Sequence, residues 1–139
     1  MKKIYNTDLP EKYGHVALLV FRLVAAGFML THGIPKLQRL LSGEEIKFAD
    51  PYGLGPEVSF VLVIFAEFFC SILVSLGLLT RLAVIPLMIT MATAVIFAHS
   101  EDPFGVKEKP LLFLLIFALL AVFGSGRYSV DRMLETRNR

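Results

Sequence analysis

The sequence predicts an all-α integral membrane protein, a bundle of four membrane-spanning helices. The 139 residues are 55% hydrophobic and 19% charged, and their mean hydropathy is +0.67. This composition is typical of a chain that places most of its length in lipid. Four apolar runs, each bounded by polar residues, glycine or proline, are long enough to cross a bilayer if they tilt. We place these spans at about 15–34, 58–79, 82–99 and 107–123 of a single domain that covers residues 1–139.

The first two spans frame the longest loop. Span one runs from about His15 to Gly33, and Pro35 marks a bend in its last turn. The Met-Lys-Lys start is similar to that of a signal peptide, but polar residues 8–12 separate it from the apolar run. We therefore expect the first helix to be retained. Residues 37–57 include the run Asp-Pro-Tyr-Gly-Leu-Gly-Pro, which indicates defined turns rather than a flexible linker.

The third and fourth spans complete the bundle. A tight turn that begins at Gly77 separates spans two and three, and Pro86 lies early enough in span three for a helix to tolerate it. A polar turn over residues 100–105 leads to span four, which is short but adequate with tilt. The run Gly-Ser-Gly at 124–126 ends this span, and a basic amphipathic tail follows.

The distribution of basic residues predicts that both termini lie in the cytoplasm of a bacterial cell, with the protein in the plasma (inner) membrane. Four spans place both termini on one side of the membrane, and that side collects most of the arginine and lysine outside the spans. Its basic residues are Lys2, Lys3, Lys12, Arg81, Arg127, Arg132, Arg137 and Arg139. On the other side the basic residues are Lys36, Arg39, Lys47, Lys107 and Lys109.

One face of span one carries polar side chains. The residues on this face follow helical spacing: Arg22, Ala25, Met29, His32 and Lys36. A charge at membrane depth costs at least ~2.5–3.5 kcal/mol and needs a partner. Counted from the predicted outer span ends, Arg22 and Glu67 lie at similar depths of ~16 and ~14 Å, so we predict that they pair. The pair is either a structural bridge that fixes helix register or the anchor of a redox or proton-transfer site.

Two histidines end spans one and three on the side away from the termini. His32 and His99 could converge there with Lys36 and Glu108. Three interpretations stay open. The histidines could hydrogen-bond a quinone and exchange protons as its ring is reduced. With Glu108 they could bind a divalent metal, although no diagnostic spacing supports this and we assign no metal ligands. They could also be ordinary interfacial residues.

Other features narrow the functional classes. Phenylalanines at 60, 65, 68, 69 and 97 either line an apolar quinone pocket or simply pack and contact lipid. No phosphate-binding loop, dinucleotide fingerprint or haem-attachment motif is present, so we expect no covalent cofactor. Cys70 is the only cysteine and cannot form an internal disulfide. The net charge of +2, without a basic patch interleaved with aromatics, argues against nucleic acid as a partner.

With these residues in view, the chain resembles the DoxX family of small bacterial four-helix membrane proteins. The matching features cover nearly the whole chain: Arg22, His32-Gly33-x-x-Lys36, residues 49–55, Glu67, Gly77-Leu78-x-Thr80-Arg81, His99, Lys107-Glu108 and 124–131. The resemblance implies a plasma-membrane protein related to the membrane subunit of thiosulfate:quinone oxidoreductase, or to components of oxidative-stress complexes.

Two functions follow from this resemblance and the polar residues. The first is a quinone-interacting subunit of a membrane oxidoreductase linked to sulfur or thiol chemistry. In this hypothesis Glu67, His32 and His99 are the catalytic residues that take up and release protons. The residues that bind the quinone are Arg22, His32, Lys36, His99 and Glu108. The second is a non-catalytic membrane scaffold that anchors a soluble redox partner. Both hypotheses leave open whether the protein forms homo-oligomers in the bilayer. Whether the chain is an enzyme at all is also open, because fold transfers between relatives better than activity does.

Overall fold

A computed structural model of the chain describes residues 10–137 and is wholly helical apart from turns and loops. The helices are α1 (Glu11–Leu41), α2 (Pro56–Leu76), α3 (Thr80–Ala98), α4 (Phe104–Phe123) and a short α5 (Val130–Arg137). The first four form the expected all-α membrane bundle. Residues 1–9, which carry the predicted lysine-rich lead, lie outside the described part.

Three of these helices, α1, α2 and α3, are both long and apolar enough to cross a membrane. Helix α4 has 20 residues, which span about 30 Å. Charged residues at 107–109 occupy its first turns, so its apolar stretch begins at Pro110. This agrees with the prediction of a short fourth span.

Helix α1 is longer than its predicted span. It continues through Pro35 to Leu41, and its 31 residues correspond to about 46 Å. A proline inside a membrane helix is tolerated when neighbouring groups satisfy the freed backbone.

The four long helices contact one another in chain order, and α4 closes onto α1. This arrangement places α1 diagonally across from α3. We call the end with residues 42–55 and 99–103 the loop end, and the end with residues 10–14, 77–79 and 124–137 the terminal end. The core between the helices is small and apolar: Ala25, Ala26, Met29, Ala66, Cys70, Val74, Ala83, Val84, Leu87, Met91, Phe117 and Leu120. Small residues of α1 and α2 let these helices approach closely, as is common in membranes.

Candidate functional site

The acidic residue within the bundle, Glu67, pairs with Lys36. Lys36 Nζ donates a hydrogen bond to Glu67 Oε2 and forms an ion pair with it. The Glu67 side chain is 7% exposed and that of Lys36 is 26% exposed. The carboxylate is therefore buried, and the ammonium forms the accessible edge of the pair.

The backbone around Glu67 is not regular α-helix. Residues Phe65–Cys70 form a π-helical stretch inside α2. Such bulges widen the turn and occur often at functional sites. No local pattern predicts this stretch, because neither proline nor glycine occurs within it.

Gly33 lets α1 pack directly against this widened turn. A Cβ atom at Gly33 would lie 2.7 Å from the carbonyl carbon of Glu67 and 2.8 Å from the backbone nitrogen of Phe68. Both are closer than real Cβ contacts, so only glycine fits here without displacing one helix. Lys36 lies three residues further along α1, close to one helical turn, and this approach brings its side chain to Glu67.

The predicted pair between Arg22 and Glu67 is wrong. Arg22 Nη2 instead donates a hydrogen bond to the Tyr128 carbonyl at 2.6 Å, at the terminal end of the bundle. The prediction took Gly33 as the outer end of span one, whereas α1 runs eight residues further to Leu41. Gly33 rather than Arg22 therefore lies level with Glu67, and Arg22 is about 16 Å away along α1.

Arg22 joins α1 to the turn between α2 and α3. It is 1% exposed, and a Cβ at Gly77 would overlap its guanidinium. Gly77 has φ +69° and ends α2 in the left-handed conformation. Arg22 therefore fills the space that the missing side chain leaves and is a structural anchor, outside the Lys36–Glu67 site.

Asp131 completes this junction. Its carboxylate accepts hydrogen bonds from the Leu79 N–H at 2.8 Å and the Thr80 N–H at 3.3 Å, and its own N–H donates to the Gly77 carbonyl at 2.9 Å. It thus caps the first turn of α3 from a distant part of the chain. It also stabilises Leu79, which has φ +50°, and interacts electrostatically with Arg22. Sequence reasoning noted the 124–131 motif but missed this role, because the contacts cross about 50 residues.

His32 does not share the buried face of α1. The buried residues there are Arg22, Ala25, Ala26, Met29 and Gly33. His32 is exposed, next to Gly33 and one turn before Lys36. It has no hydrogen-bond partner among residues 10–137. The predicted face was correct for Arg22, Ala25 and Met29 and wrong for His32, which the helical period turns away from the core.

His99 lies at the other corner of the loop end. It ends the π-helical stretch Ala94–Ala98 of α3, and its Nδ1 lies 2.6 Å from Asp102 Oδ2. Glu108 is exposed, and within the described chain it contacts none of the other candidates. The structure shows no hydrogen bond that joins His32, His99 and Glu108, and the described residues contain no cluster of three metal-ligating side chains.

The predicted turns between α1 and α2 are organised by Asp50. Its carboxylate accepts hydrogen bonds from the Leu54 N–H at 2.9 Å, the Gly55 N–H at 2.8 Å and the Ser59 hydroxyl at 2.8 Å. Hydrogen bonds, the one from Gly55 first, hold the pKa of Asp50 below its ordinary value. The loop is therefore fixed to the start of α2.

Tyr52 extends the same loop across the bundle to α3. Its hydroxyl lies 2.6 Å from Thr93 Oγ1, and its ring meets that of Phe97 edge-on at 5.5 Å. Of the two alternatives for the phenylalanines, a shared pocket or packing and lipid contact, the arrangement of these rings favours the second. Phe60 is buried, whereas Phe65 and Phe69 stack on each other and are 46% and 49% exposed. This exposed pair lies on the outer surface of α2, where it contacts lipid.

The fold and this site together define the class of protein: an all-α, multi-helix integral membrane protein in which a buried glutamate pairs with a partly exposed lysine. Comparison with known sequences identifies the family. The DoxX family model matches residues 17–100, which is more than half of the chain. The protein belongs to the DoxX family.

Two of the similar proteins are named as membrane proteins. The chain is 31% identical to the inner membrane protein YqjF of Escherichia coli over 91% of this chain and 98% of that protein. It is 37% identical to an uncharacterized membrane protein of Mycobacterium tuberculosis over 51% of this chain and 52% of that one. An uncharacterized protein of Haemophilus influenzae is 24% identical over 86% and 84% of the respective lengths. No solved structure matches the chain.

Proposed function

We propose that this DoxX protein is a quinone-binding subunit of a membrane oxidoreductase, and that the quinone ring binds beside Lys36 and Glu67. The observation that carries the proposal is the pair itself. A carboxylate that is 7% exposed lies inside a π-helical turn, and an ammonium that is 26% exposed forms its accessible edge. Buried ionisable residues in membrane helices commonly mark proton or substrate pathways.

The two side chains supply complementary chemistry. A quinone takes up two electrons and two protons when it becomes a quinol. Lys36 Nζ is a hydrogen-bond donor suited to a ring carbonyl, and Glu67 can carry a proton when a ligand draws Lys36 away from it. The electrons come from a soluble partner that oxidises two thiols to a disulfide, releasing two electrons and two protons. This chain cannot supply that dithiol, because Cys70 is its only cysteine.

The histidines extend this proposal to the surface. His32 is exposed one turn before Lys36, at the level of Gly33 and Glu67, so in this proposal it contacts a quinone that enters from the lipid. His99 lies at the other corner of the loop end, where Asp102 orients its ring. Glu108 is the weakest member of the predicted set, because it has no contact with the others. Arg22 is not part of the proposed site, because it lies about 16 Å from the level of Glu67 along α1.

The experiment titrates purified protein with a short-chain ubiquinone or menaquinone analogue. We expect saturable binding by the wild type and ~10-fold or more weaker binding by Glu67→Gln, equivalent to about 1.4 kcal/mol. Glu57→Gln is the matched control, because Glu57 is an exposed acid in the first turn of the same helix. The absence of saturable binding in the wild type would end the proposal.

A membrane scaffold is the second candidate. The observation in its favour is the ordered loop end, where Tyr52 and Leu54 are 55% and 52% exposed although hydrogen bonds fix their loop. A rigid loop with exposed apolar residues is suited to a protein partner. Capture of a soluble redox enzyme without any quinone binding would favour this function.

The proposed location is the bacterial inner membrane, with both termini in the cytoplasm. The E. coli relative is named as an inner membrane protein, and the terminal end carries the arginines at 81, 127, 132 and 137. In a Cys70→Ser background, Glu44→Cys should react with an impermeant thiol reagent in intact cells and Ser125→Cys should not. The reverse pattern would invert the topology.

A further inference from the structure

A groove opens at the terminal end, between the first turns of α1 and the segment that follows α4. Its volume is about 480 Å³, and its lining residues are Glu11, His15, Gly126, Arg127, Arg132 and Glu135. It lies about two helical turns from Arg22 along α1 and far from Lys36, so it is separate from the proposed quinone site.

Backbone contacts hold Arg127 at this groove. The Arg127 N–H donates a hydrogen bond to His15 Nδ1 at 3.3 Å. A Cβ at Gly126 would lie 3.2 Å from Leu18 Cδ1, so the chain packs tightly on α1 just before Arg127. The Arg127 guanidinium is exposed and has no partner within residues 10–137. By contrast, Arg132 Nη1 pairs with Glu135 at 2.8 Å, which leaves Arg127 as the available cation.

The surface next to the groove is apolar. Helices α1 and α4 run antiparallel, and the rings of Phe28 and Phe113 meet edge-on at 6.4 Å further along them. Between that contact and the groove, Val20 of α1 is 50% exposed, and Val122 and Phe123 of α4 are 68% and 63% exposed. A groove with an exposed arginine is thus directly followed by a surface that meets acyl chains.

We propose that this groove binds the phosphate group of a membrane phospholipid, whose acyl chains lie along α1 and α4. Arginine suits this ligand because its guanidinium can donate two parallel hydrogen bonds to phosphate oxygens. The N-terminus of α1 lies at the same place, and Glu11 in its first turn offsets part of its favourable potential for an anion. Free phosphate offers the same oxygens, but only a lipid also uses the apolar surface.

The test is native mass spectrometry of the purified full chain with dioleoyl phosphatidylglycerol. The wild type should retain one lipid, and Arg127→Gln should bind it ~10-fold or more weakly. Arg137→Gln is the matched control, because Arg137 is an exposed arginine of α5 outside the groove. It should bind like the wild type.

Three results would overturn the proposal: unchanged binding by Arg127→Gln, equal losses in both variants, or equal retention of dioleoylglycerol, which lacks phosphate. Displacement of the lipid by equimolar inorganic phosphate would assign the groove to free phosphate instead. Circular dichroism confirms folding of each variant. If Arg127→Gln does not fold, Arg127→Lys keeps the charge without the paired donors and should bind more weakly than the wild type. Unchanged binding by this variant would also count against the proposal.

Discussion

The substitution Gly77→Ala tests the role of Arg22 as a structural anchor. Gly77 has φ +69°, where an L-residue costs about 1–2 kcal/mol. The new methyl group would also overlap the Arg22 guanidinium and lie 2.6 Å from Ser129 Cβ. Displacing Arg22 breaks its hydrogen bond to Tyr128, and such a bond to a charged group contributes about 1.5–3 kcal/mol. We therefore expect the free energy of unfolding to fall by about 3–5 kcal/mol.

The matched control is Gly43→Ala. Gly43 has φ +72°, and a Cβ there would meet no atom within 4 Å. It should cost only the conformational term of about 1–2 kcal/mol. The assay is reversible unfolding in mixed micelles, followed by circular dichroism, and it includes Arg22→Met and the Arg22→Met/Gly77→Ala double variant. With Arg22 removed, Gly77→Ala should cost less than in the wild-type background, although the contact with Ser129 Cβ keeps its cost above that of Gly43→Ala. Equal costs for the two glycines in the wild-type background, or an undiminished cost in the Arg22→Met background, would refute this reasoning.

Three further predictions follow from the contacts. Lys36→Met or Glu67→Met alone should destabilise by ~3–5 kcal/mol, and the double variant should recover much of that loss; additive losses in the same unfolding assay would contradict direct pairing. Gly33→Ala should separate α1 from α2 and weaken quinone binding. Gly27→Ala should do neither, because a Cβ at Gly27 would meet no atom within 4 Å. Equal effects of the two substitutions would show that the close approach of the helices at Gly33 is unimportant. Hydrogen bonds lower the pKa of Asp50 in the folded protein, so its stabilising contribution is fully present above its ordinary pKa of 3.8 and is lost as pH falls through the lower folded pKa. We therefore expect the amide-exchange protection of residues 54 and 55 to decrease below about pH 4. Protection that Asp50→Asn leaves unchanged at pH 7 would contradict this.

The sequence predicted the architecture well because the signals for it are local. Apolar runs, the breakers between them and the Asp50 turn lie within short stretches of chain, and the structure has a helix at each run, although α1 extends beyond its predicted span. The buried face of α1 was also predicted through Arg22, Ala25 and Met29, since it depends only on helical period.

Pairing across the bundle was predicted less well because it depends on register. Span one is predicted to end near Gly33 with a bend at Pro35, although a membrane helix can pass through proline. This error shifted the expected depth of α1 by about two turns and assigned Glu67 to the wrong cation. The π-helical turn at Glu67 and the cap from Asp131 arise from tertiary packing, and no local pattern encodes either. The proposed site contains Glu67 and Lys36. His32 and His99 lie outside this pair, and Arg22 is not part of the site.

Photolabelling with an azido-quinone tests most directly whether the Lys36–Glu67 pair is the quinone site. Wild-type protein in membranes would be illuminated with the probe, with and without excess unlabelled quinone, and the labelled peptides mapped by mass spectrometry. The account predicts labelling of residues 30–41 and 64–71 that unlabelled quinone suppresses and Glu67→Gln reduces. Labelling confined to the lipid-facing surface of α4, or labelling that unlabelled quinone does not suppress, would contradict it.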